Sequence, residues 1–261
     1  MSLTDRLVVA LLCSISLAGV PSIGASQAAG QVLPLPPEDQ QEITALLGSG
    51  VVGQALSSAP ITDVSVYFPL NEREATYQVT SGKNTGNMQT LKVAKGQRPN
   101  GNPAWRFGLS PSLAGFLRQT ASGDLLMPAV SDSGEGVIVI TTPPNPFLLN
   151  GMKPGATRSF TQKVSVNYLD DPTDREYSGS LNAKYTYVGT YQVTVPAGTY
   201  QAILVKLKYE GKVGPAHTKD TAYYFFAPQV GVVAMISQED VEAFWIIHID
   251  SKSGKVLAST S

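Results

Sequence analysis

The residues able to do chemistry are few and scattered. Ser131-Asp132-Ser133-Gly134-Glu135-Gly136 contains an Asp-Ser-Gly run of the kind that can hold a nucleophilic serine, but Glu135 interrupts the glycine pair. A serine nucleophile needs a base within hydrogen-bond reach. The two histidines, His217 and His248, lie far downstream and apart from each other. Turn chemistry at the start of a strand explains the Ser/Asp/Gly content better. His248 alternates with Phe244 and Ile246 and reads as a core or edge residue. His217 sits near Pro215, Lys212 and Lys219 in a solvated loop. Asp170, Asp171, Asp174 and Glu176 crowd around Pro172 and offer oxygen ligands of the type calcium takes. Their spacing is not that of an EF-hand and Arg175 intrudes, so a solvated hairpin tip is the expected role. Cys13 is the sole cysteine, and two separated histidines do not make a zinc site. No glycine-rich phosphate loop of the right spacing occurs. The expectation is no catalytic residue, no metal site and no cofactor: a protein that is not an enzyme.

The N-terminus sets the address. Met1 to Arg6 is short and polar, Leu7 to Val20 is largely apolar, and Pro21 ends the run before a series of small residues. This is the plan of a secretory signal peptide, and the apolar run is shorter than the roughly 20 residues that span a bilayer. Small residues at Ser26 and Ala28 place cleavage after Ala28, with Ala25 the alternative. A periplasmic or extracellular, bacterial protein without a membrane span after cleavage is expected. Cys13 leaves with the leader, so the mature chain has no thiol and no disulfide. The formal net charge of −1 argues against a nucleic-acid partner, which needs a basic surface.

The elements read as one helix followed by strands. Residues 29–60 form a Pro-rich linker and a helix. Pro37 suits its first turn, Glu38 and Asp39 its positive end, and Ile43, Leu46, Leu47 and Val51 its apolar stripe. Packing on a sheet is the expected role of that stripe; a lid or a partner-docking helix is the alternative. Residues 61–261 read as a single β-domain, with a possible half-sheet boundary near 144–154. Val64 to Leu70 reads as its first strand, and Leu113–Leu117 as either a strand or a helical turn. Ile203, Val205, Leu207 and Tyr209 alternate with Leu204, Lys206, Lys208 and Glu210, the period of two of a half-buried strand. The fold class is mainly β: an antiparallel, curved, open or partly closed barrel-like sheet with one N-terminal α-helix.

Val193-Thr194-Val195-Pro196-Ala197-Gly198-Thr199-Tyr200 is a hairpin, with Pro196 presetting the turn and Gly198 free to take positive φ. Together with Tyr223-Tyr224-Phe225-Phe226-Ala227-Pro228-Gln229-Val230-Gly231-Val232-Val233 it resembles the signature of secreted bacterial proteins grouped with the TapB-like families. More distantly it is similar to the half-barrels of lipoprotein carriers such as LolA. Tyr200 stands where Phe is common. The resemblance covers about a fifth of the chain and implies a curved sheet holding a lipid-like ligand; it transfers no residue-level chemistry.

The last strands are hydrophobic on both faces, from Tyr223–Phe226 through Val230–Ile236 to Phe244–Ile249. Such strands need cover on both sides, and one helix covers one patch. A hydrophobic small molecule or lipid is therefore the expected ligand, lined by Trp105, Phe107, Phe226 and Trp245. The alternative is an envelope module binding polysaccharide or a protein partner. Seven of the eleven tyrosines fall between Tyr185 and Tyr224, and Tyr185 and Tyr187 share a strand face that could stack on sugars.

Overall fold

The computed structural model describes residues 30–98, 101–243 and 247–260. The expected signal peptide, and Trp245 among the expected lining residues, lie outside them. Ahead of the main sheet come strand β1 (Gln31–Val32), helix α1 (Pro37–Leu47), strand β2 (Val52–Ser58) and helix α2 (Val64–Tyr67). The sheet is built from β3 (Arg73–Ser81), β4 (Met88–Gln97), β5 (Pro103–Gly108), β6 (Leu113–Gln119), β7 (Leu125–Asp132) and β8 (Val137–Leu148). It continues with β9 (Thr157–Tyr168), β10 (Arg175–Val195), β11 (Gly198–Val213), β12 (Ala216–Ala227), β13 (Gly231–Ala243) and β14 (Ile247–Thr260).

The sheet closes. Among the described residues, strands β3 to β14 form a 12-strand antiparallel barrel, because β14 pairs with β3 and β9 with β10. This corrects the open or partly closed sheet expected from the sequence. Each strand from β3 to β14 pairs with the next in sequence, and β14 returns to β3 to close the ring; β10 is 21 residues long and also reaches beyond it. Its first half, Arg175–Thr186, pairs with β9, while its last part, Thr190–Val193, pairs with β2. One strand thus belongs to the ring and holds the β1–β2 flap. A bulge between Tyr187 and Gly189 marks the change of partner. Closure removes every unpaired edge from strands whose faces are both apolar. Leu113–Gln119 is a strand. Strand β8 runs past its prolines to Leu148, its partner switching from β9 to β7 alone near Pro143, so the sheet is continuous through the expected half-sheet boundary.

The expected N-terminal helix is α1. Pro37 opens it, Glu38 and Asp39 occupy its first turn, and Gly48 ends it at φ 103 with its N–H on the Thr44 carbonyl at 3.0 Å. Ile43, Leu46 and Leu47 are buried against the outer face of the C-terminal strands. The approach is close: a Cβ at Gly254 would sit 2.2 Å from the Leu46 carbonyl oxygen, so only glycine fits on β14 there. Val64–Tyr67 is helical, not a strand. Asp63 caps it, Oδ1 accepting from Ser65 N–H at 2.8 Å, and the turn drives Phe68 into one end of the barrel.

This N-terminal segment supplies the cover that the C-terminal strands need. Leu204, Phe225, Ala234 and Val256 face outward by register, yet each is buried. Among the described residues the only exposed large hydrophobics are Val32 and Met88. The expectation of more apolar surface than the chain can shield is therefore not met.

Candidate functional site

The inner face of β11–β14 reads in rows set by register. Across the four strands the rows are Ile203–Phe226–Val232, Val205–Tyr224–Met235–Lys255, Leu207–Ala222–Ser237–Ser253 and Tyr209–Asp220–Glu239–Ser251. The interior thus changes from apolar to polar along the barrel axis. At the apolar end the rings are in contact. Phe147 packs on Phe68, Phe226 and Tyr224 at centroid distances of 5.1, 5.2 and 5.4 Å, and Phe68 packs on Phe107 at 5.2 Å. These are edge-on geometries of the favourable kind, and they fill that half of the barrel.

At the other end a cavity of about 250 Å³ remains. Tyr224 lines it as well as joining the ring stack, so it forms the floor. Tyr209, Asp220, Met235, Glu239 and Lys255 line the walls, and Asp132 with the β5–β6 turn around Leu109 and Leu113 closes the far side. Ser237 and Ser251 face the cavity and are exposed, so it opens to solvent. An engineered apolar cavity of about 150 Å³ suffices for benzene.

The electrostatics of the cavity are unbalanced. Asp220 is over nine-tenths buried and is pushed well above the usual carboxylate range, by burial first and by the charge of Glu239 second. Glu239, directly across from it, is pushed up to about 7 by burial and by Asp132. Lys255 is buried, donates to the Leu109 carbonyl, and is lowered by burial to about 8.

These shifts fix the sign of a pH effect. Between the ordinary carboxylate range and about 7, the folded protein holds more protons at Glu239 and Asp220 than the unfolded chain does. Stability therefore falls as pH rises through that window. Above about 8 Lys255 reverses the slope, because the folded form has lost a proton that the unfolded lysine keeps. The expected result is a thermal midpoint that falls from about pH 5 to about pH 7.5, with a shallower fall in Glu239→Gln. An unchanged slope in the variant would remove Glu239 from the titration.

Of the residues expected to line a ligand site, the three among the described residues, Trp105, Phe107 and Phe226, do not line this cavity. Phe107 and Phe226 belong to the filled ring stack and are buried. Trp105 is half-buried, with Lys95 Nζ 5.9 Å from its ring centre, and does not line the cavity. Tyr185 and Tyr187 are fully buried: Tyr185 Oη accepts from Leu149 N–H at 3.3 Å, and Tyr187 Oη donates to the Ala59 carbonyl at 3.0 Å. They offer no outer platform for a sugar.

The weak motifs take turn roles. Asp132 Oδ1 accepts from Gly134 N–H at 2.8 Å, and Asp171 Oδ1 accepts from the Thr173 N–H at 3.0 Å and hydroxyl at 2.6 Å. His217 is exposed on the outer face, opposite Lys212 and Glu242. Among the described residues no three potential metal ligands converge.

Fold and site together define a closed antiparallel barrel with a stacked aromatic plug at one end and a polar-walled cavity at the other. No family model matches the chain, and no curated protein does. Solved structures similar to it include a candidate lipoprotein of Parabacteroides distasonis, 15% identical, covering 75% of this chain and 98% of that one at a TM-score of 0.36. Another is a Bacteroides fragilis protein described as exported, with a YmcC-like fold: 13% identical, 78% and 99% covered, TM-score 0.37. A third is the hypothetical lipoprotein YmcC from Escherichia coli, 8% identical, 86% and 97% covered, TM-score 0.38.

Proposed function

We propose that the mature protein is a non-enzymatic binding barrel of the bacterial periplasm or exterior, taking a compact small molecule with an apolar body and a polar end. The observation that carries this reading is the cavity of about 250 Å³ inside the closed barrel, open to solvent on one side and floored by Tyr224. Tyr209, Tyr224, Met235 and Leu113 offer apolar contact, and each guest CH₂ they bury contributes up to about 0.8 kcal/mol before ordering costs. The ring stack occupies the space where a long acyl chain would continue, so the guest is shorter than a membrane lipid. The secretory address is supported by the leader plan of residues 1–28.

Native mass spectrometry of protein purified from its secreted fraction tests the reading. The expected result is a bound small molecule lost in Ser237→Phe, a substitution that fills the cavity from an exposed position. Repeated ligand-free preparations, or equal retention by that variant, would count against it.

A further inference from the structure

We infer that the guest of this cavity carries a positive charge, as a primary ammonium or guanidinium group on a short apolar or aromatic body. This deepens the binding proposal above and rests on it. The titratable groups facing the cavity are Asp132, Tyr209, Asp220, Tyr224, Glu239 and Lys255. Asp132 is committed to its own turn through Gly134. Asp220 is over nine-tenths buried, and its partners are neutral: the Thr218 hydroxyl at 3.0 Å and the Asp240 N–H. Glu239 stands directly opposite with no ion-pair partner among the described residues.

The one cation of the cavity does not balance this pair. Lys255 pairs in register with Met235, four strand positions from the Glu239 row, roughly 13 Å along the strands. Its ammonium is held by the Leu109 carbonyl. Two facing carboxylates in a partly desolvated space are costly without a counter-charge, and a guest cation supplies one. The rings of Tyr209 and Tyr224 line the same space, and aromatic faces attract cations. The site lacks three converging metal ligands among the described residues, which favours an organic cation over a metal ion. The raised carboxyls add an observable: each must lose its proton to meet the cation, so binding near neutral pH releases protons.

The test titrates the mature protein with three probes of similar size: 2-phenylethylamine, 2-phenylethanol and phenylacetate. Calorimetry in buffers of different ionisation enthalpy reports affinity and proton release together. The amine is expected to bind at least about tenfold tighter than the alcohol, the scale of one charge-assisted hydrogen bond, with phenylacetate weakest. Glu239→Gln and Asp220→Asn, checked for folding by circular dichroism, should each erase most of that preference. Equal binding of amine and alcohol, tightest binding of phenylacetate, or a preference untouched by both variants would overturn the charge inference while the cavity reading stands. Failure of all three probes to bind the folded protein would overturn the cavity reading itself.

Discussion

Phe147→Ala is expected to destabilise the barrel by about 3–5 kcal/mol, the cost of deleting a buried phenylalanine. Phe147 is 1% exposed and is the hub of the stack. Its partners come from separate elements: Phe68 follows α2, Phe107 lies on β5, and Tyr224 and Phe226 lie on β12. A void left among rings anchored on different strands of a closed ring cannot collapse without shifting several of them, so the cavity cost adds to the lost transfer energy. Urea unfolding followed by tyrosine fluorescence measures the loss. A second readout distinguishes a void from general loosening. Benzene should raise the thermal midpoint of Phe147→Ala by more than that of the parent protein, since dry apolar cavities of this kind take benzene. A loss below about 1 kcal/mol would mean that the rings are not packed as one unit.

The class of fold was legible because the alternation around Ile203–Tyr209 has one reading, and α1 because its proline, acidic first turn and apolar stripe agree. Closure was not legible. Whether a sheet ends in two edges or none depends on which strands meet last, here β14 with β3, and that pairing joins the two ends of the sheet, far apart in sequence. Shielding was misjudged for a related reason. The segment 33–47 packs on the outside of strands that follow it by more than a hundred residues, and no local pattern announces that contact.

Large apolar residues do not point to the cavity, because a barrel spends them on filling itself. The usable signal was the opposite one. Once Tyr209 is placed on the core face, the hairpin through Gly214 carries Asp220 to the same face, and the next hairpin carries Glu239. Charged residues at core positions are the informative exceptions, and two facing each other point to a hollow rather than to packing.

Asp39→Ala is expected to cost about 3–5 kcal/mol, although Asp39 lies on a helix outside the barrel. Its carboxylate is ion-paired with Lys206 of β11 and accepts from the Tyr223 hydroxyl at 2.8 Å, with Glu42 Oε2 also 2.8 Å from that hydroxyl. The side chains of Asp39 and Lys206 are only 3% and 11% exposed. Removing one partner strands the other charge in a desolvated seam. Lys206→Met leaves Asp39 with a neutral donor and is expected to cost a comparable amount. The double variant Asp39→Leu/Lys206→Met should be much milder than the sum, because an apolar pair of similar volume needs no compensation. Urea midpoints of the parent, both single variants and the double variant close the cycle. Additive losses would show that the pair is not a unit. A non-additive cycle in which the double variant recovers most of the parent's stability would show that the charges select where α1 sits, while Ile43, Leu46 and Leu47 supply the attraction. That division of labour follows from the physics of the seam: apolar burial has no preferred register, whereas an ammonium and a carboxylate buried together have one.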